Sequence, residues 1–147
     1  SFANAPLGGE DAMIEEITRD RYRKATVASL SNAFASLEAH ERLLLMYYHV
    51  DNLKLREISR LVESETSPLR GWFQRRSQAR EKDPNAKIHE STVMRGLEKS
   101  YARVLQLFRD ELKSVHGLAD AEIETCMGLA TQDLAGGDLY KNLTGNA

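Results

Sequence analysis

Cysteine is nearly absent from this 147-residue sequence: Cys126 stands alone, so no internal disulfide can form and no CxxC pair offers itself to zinc. That pattern implies a reducing, cytoplasmic setting. With 3 prolines and 7% aromatic residues there is little material for a many-stranded sandwich or barrel, and a mostly helical chain is expected. Long apolar runs are missing too. The longest, Leu43 to Tyr48, has six residues, against the roughly 20 needed to cross a bilayer, and no basic-then-apolar leader opens the sequence. Membrane insertion and secretion are therefore not expected. Ser1 stands where an initiator methionine would, which is read as an excised fragment or a cleaved tag.

Charge is nearly balanced overall, at −2, but not along the chain. From Lys54 to Arg109 there are 13 Lys and Arg against 7 Asp and Glu, while the remainder holds 7 against 15. A basic middle between acidic ends points to a polyanionic partner, because clustered cations attract phosphate and release its counterions.

Apolar residues recur at helical spacing. Residues 1–11, with Pro6 and Gly8-Gly9, read as a disordered lead-in. Ile14, Ile17, Tyr22, Leu30, Phe34 and Leu37 predict a long first helix over 12–37, with a break near Val27. Residues 41–50 predict a short, mostly buried helix that ends at an Asp51-Asn52 turn, and Leu55, Ile58, Leu61 and Val62 mark a third of about nine residues. A polar, interrupted stretch follows, in which Ser67-Pro68 can start a helix and Asp83-Pro84-Asn85 can end one. From Glu90 to Val115 an unusually long apolar stripe stops at Gly117, a residue suited to a helix C-terminus. Asp120 is expected to cap a last helix carrying Ile123, Met127, Ala130 and Leu134.

Catalytic and cofactor signatures are lacking. His40, His49, His89 and His116 lie too far apart for HxxxH ligand spacing, so no metal is expected. No phosphate-cradling glycine loop or nucleophile elbow is present, and Cys126 on an apolar stripe reads as a packed residue. Neither a cofactor nor an enzyme is expected. What remains is a short helix, 53–62, and the start of a longer one, 88–97, which look like the two halves of a helix-turn-helix. Their alternate Leu, Ile and Val residues would pack together, leaving Ser91, Thr92, Met94, Arg95, Glu98 and Lys99 exposed where DNA grooves and phosphates are reached.

The runs Ala33-Phe34-Ala35-Ser36-Leu37, Glu41-Arg42-Leu43-Leu44-Leu45, Leu55-Arg56-Glu57-Ile58 and Ser91-Thr92-Val93 resemble, in that order, region 4 of sigma-70 family RNA polymerase sigma factors, especially the extracytoplasmic-function group. The likeness spans about residues 32–109. It implies a winged-helix-free helix-turn-helix core, which with the helices read from spacing makes an all-α domain at 12–116 with a long C-terminal helix; the helical extension at 117–147 rests on apolar spacing alone. It also implies recognition of double-stranded promoter DNA at the −35 element, docking on the β-flap of core RNA polymerase through Leu43, Tyr47 and Ile58, and possible control by an anti-sigma factor. The regions that bind the −10 element and open DNA would precede this segment.

Two departures stand out. A 24-residue insertion, 64–87, lies where the family has a turn of a few residues, and Lys54 stands where the family has a Ser or Thr cap. The insertion carries Arg70, Arg75, Arg76 and Arg80, which are candidates for phosphate contacts, and Trp72 with Phe73, which read as core plugs rather than base-stacking platforms. Two other readings stay open: a dimeric response-regulator-type effector domain, and a non-DNA-binding interaction module whose inserted segment covers the second helix.

Overall fold

Among the described residues, five helices realise the apolar spacing. The computed structural model describes residues 9–73 and 87–136, the last four by backbone alone, and no strand occurs among them. The helices are α1 (Gly9–Ala35), α2 (Ala39–His49), α3 (Leu55–Glu63), α4 (Glu90–Ser114) and α5 (Asp120–Gly136). A further helical turn opens at 70–73. None of the described helices is long and apolar enough to cross a membrane.

Most helix ends have a visible cause. Arg42 of α2 reaches back to the carbonyls of Ala35 and Leu37, bringing positive charge to the C-terminus of α1, whose own last turn has no basic residue. At the starts of α2, α3 and α5 a glutamate in the first turn does the capping. Glu41, Glu57 and Glu122 accept the backbone N–H of Glu38, Lys54 and Ala119 at 3.0, 3.1 and 3.0 Å. Lys54 therefore starts α3 without a side-chain acceptor of its own. Asp120, expected as the cap of α5, instead lies inside its first turn. The Tyr22 hydroxyl also donates to Glu122 at 3.0 Å, so the Ala119 N–H first, and that hydroxyl second, hold the Glu122 carboxyl below its ordinary pKa. Asn52, at φ 55°, makes the turn between α2 and α3. Gly117, at φ 64°, lets the Leu118 N–H return to the Leu112 carbonyl at 3.1 Å, with Leu118 buried behind the turn.

α4 is the spine, packing against each of the other four helices. Its first half meets α2 and α3, and Arg103 lies 3.6 Å from Glu41 of α2. Its second half meets α1 and α5, where Glu111 accepts from Asn32 and Arg109 pairs with Glu124, both at 2.9 Å. Val93, Leu97, Val104, Phe108 and Leu112 are the buried stripe that allows this. Cys126 is fully buried, its Sγ 3.9 Å from the Tyr22 carbonyl, as a packed residue should be.

The chain departs from the sequence-based expectations in several places. Residues 9–11 are helical, and residues 1–8 lie outside the described residues. α1 runs unbroken through Val27. Ile14 and Ile17, expected on its core face, are exposed, because at ~100° per residue they sit about 140° or more around the helix from the buried Leu30. In α2 only Glu41, Leu44 and Leu45 are buried.

His49, near the end of α2, is wedged between the rings of Tyr48 and Tyr101, with both centroids 5.0 Å away. Burial pushes its pKa below the ordinary 6.5. The unfolded chain then takes up this proton more readily than the folded one, so stability is full above 6.5 and declines as pH falls below it. In thermal unfolding followed across pH, His49→Gln should flatten that decline. An unchanged slope in the variant would assign it to other groups.

Candidate nucleic-acid interface

The candidate interface rests on two helices that the sequence separates by the 24 residues 64–87. α3 packs on α4, and Ile58, Val62, Val93 and Leu97 are all buried. The insertion leaves and returns at one point: Glu63, the last residue of α3, accepts the backbone N–H of Ile88 at 2.9 Å. Closing a loop of this length costs little more than closing a short one, since closure entropy rises only with the logarithm of length. Glu63→Ala should remove a charge-assisted bond worth about 1.5–3 kcal/mol in chemical denaturation, while Glu63→Gln, which keeps a carbonyl acceptor, should retain much of it.

The insertion does not simply loop out. Ser67 Oγ accepts the Leu69 N–H at 3.2 Å, so Ser67-Pro68 starts a helical turn as expected. That turn drives Leu69 and Phe73 into the core, where they are 1% and 0% exposed. Gly96 of α4 lies between Leu44 and Phe73: a Cβ there would crowd Leu44 at 3.2 Å and touch Phe73 at 3.8 Å. Trp72 stays half-buried and stacks on His40, with centroids 4.1 Å apart and planes 26° apart. The core-plug reading of this pair thus holds for Phe73 and in part for Trp72.

Ser91, Met94, Arg95, Glu98 and Lys99 are exposed and Thr92 is half-exposed. On an ideal helix these six fall on one arc of ~160°, opposite Val93, Gly96, Leu97 and Ser100, all of which are buried. Arg95 donates to Thr92 Oγ1 at 3.3 Å, a light tether that leaves most of the guanidinium available. His89, at the start of α4, supplies no side-chain cap, and its carbonyl accepts the Thr92 N–H at 3.0 Å. Exposed cations on α3 and α4 extend beyond the expected set. Lys54, Arg56, Arg60, Arg95, Lys99 and Arg103 face solvent alongside only Glu57, Glu90 and Glu98 over residues 54–60 and 90–103.

Other expected residues fare differently. Arg70 is half-buried and donates to the Glu63 carbonyl at 2.8 Å, bracing the insertion's base. Arg75, Arg76 and Arg80, and the Asp83-Pro84-Asn85 helix end, lie outside the described residues. Ile58 cannot be part of an exposed docking surface: it is 0% exposed, shut between α3 and α4. Leu43 and Tyr47 are half-buried against the core and keep an outer edge.

The sequence reading passed over a groove of about 410 Å³ beside the arc, whose lining includes Glu38, His40, Trp72, Lys99 and Arg103. Only the stacking of Trp72 on His40, across a long sequence gap, reveals it. Glu38, His40 and Glu41 bring ligand-type atoms within 4.8 Å of one another. Their geometry is that of a helix cap and ion pair, since Glu41 holds the Glu38 N–H and faces Arg103, whose charge opposes a cation. Comparison of the chain with protein-family models, curated proteins and solved structures finds no match.

Proposed function

We propose that this chain is a DNA-recognition domain of the sigma region 4 type, which reads a promoter −35 element through α4 and has no catalysis of its own. The observation that carries the reading is the closure of the insertion at Glu63 and Ile88, which leaves α3 against α4 with the six candidate residues on one exposed arc. A helix so held presents side chains to base edges in the major groove, and its cations to phosphates. The outer edges of Leu43 and Tyr47 remain the candidates for docking on the polymerase flap.

The test is selection of the intact chain against a random duplex pool at two salt concentrations, followed by footprinting. The expected result is one short asymmetric element with a steep salt dependence. Paired half-sites about one helical turn apart would favour the effector-domain alternative. No enrichment at either salt would favour the interaction module.

A further inference from the structure

The first eleven residues of α1, 9–19, are all exposed and project about 16 Å beyond the packed part of the helix. They are not a polar overhang. Met13, Ile14 and Ile17 are 63%, 58% and 64% exposed, the largest such cluster along any described helix. On an ideal helix Glu10, Met13, Ile14, Ile17, Arg21 and Lys24 share one arc about 100° wide, turned away from the core face of α1. Beside Ile17 the arc borders an open groove of about 530 Å³, walled by Arg21, Lys24, Ala28 and Leu118.

Charge along this half of α1 is split. Residues 10–16 hold Glu10, Asp11, Glu15 and Glu16 and no cation, whereas 19–24 hold Arg19, Arg21, Arg23 and Lys24 with Asp20 alone. A parallel copy would set acid against acid. An antiparallel copy centred near Ile17 sets Glu10 against Lys24 at both ends, with the three apolar side chains between. Such a contact is self-complementary, as a two-fold interface requires.

We infer that the projecting half of α1 is a self-association surface, on which two copies of the chain pair antiparallel. A contact of this size falls in the weak, transient class. Arg95 and the C-terminal end of α4 are about 29 Å apart along the helix, and it is that far end that packs on α1. Pairing therefore leaves the candidate DNA arc free, and the inference is independent of the DNA reading.

Sedimentation equilibrium of the intact chain without DNA tests it. The mass should rise from 16.6 kDa toward twice that value as concentration goes from about 1 μM to about 1 mM. Ile14→Gln with Ile17→Gln, which keeps helix propensity and touches no core residue, should weaken association at least about tenfold with thermal unfolding unchanged. Glu10→Lys alone, and Arg21→Glu with Lys24→Glu alone, should each weaken self-association, and an equimolar mixture of the two should restore it. A chain that stays monomeric throughout overturns the inference. So does association that survives the double Gln variant, or a charge-swapped mixture that fails to recover.

Discussion

Phe73→Ala should cost the domain about 3–5 kcal/mol in chemical denaturation, the range for truncating a large buried aromatic. Phe73 lies in the polar, interrupted segment 64–87, yet it is 0% exposed and sits against Gly96 of α4 near Leu44 of α2. Its removal leaves a void at the junction of α2, α4 and the inserted turn. Leu44 and Leu69, both nearly inaccessible, would line that void with little freedom to collapse into it. Two deletions separate this role from any role in binding. Replacing 64–87 with a short turn removes Leu69 and Phe73 together and should unfold the chain. Replacing only 74–86 keeps both and should leave the melting transition within a few degrees of the parent. Equal stability of the two deletions would mean that the inserted turn contributes nothing to the core.

Arg95→Ala should cost about 1–3 kcal/mol of specific DNA binding, roughly 5- to 150-fold, and relax preference at a single base position. Lys99→Ala should weaken all duplexes alike and make the salt dependence shallower. The difference rests on position. Arg95 lies near the middle of the exposed arc and is tethered only to Thr92, while Lys99 borders the groove that also holds Trp72 and Arg103. Melting curves should be unchanged in both variants, since both residues are exposed. If Arg95→Ala reduces binding to selected and scrambled duplexes by the same factor, base readout by this residue is excluded.

The sequence by itself determined the helical class, four of the five helices nearly to their ends, the Asn52 turn and the Gly117 stop. It also determined which part of α4 faces outward. These features are set by neighbours a few residues apart: apolar spacing of three and four, a glycine that tolerates positive φ, a glutamate in the first turn. Tertiary structure decided the rest. Ile14 and Ile17 recur at the same helical spacing as the core residues of α1, but on the side of the helix away from Leu30, and among the described residues nothing covers them. Ile58, on the amphipathic stripe of α3, could have faced a partner or the interior, and the docking of α4 put it inside. The insertion looked like a loop because polarity and proline outweigh two apolar residues in a local reading. Leu69 and Phe73 are nonetheless core, 1% and 0% exposed, with the Phe73 ring lying against Gly96 of α4. Spacing along one helix specifies a face, and burial of that face depends on which distant segment arrives to cover it.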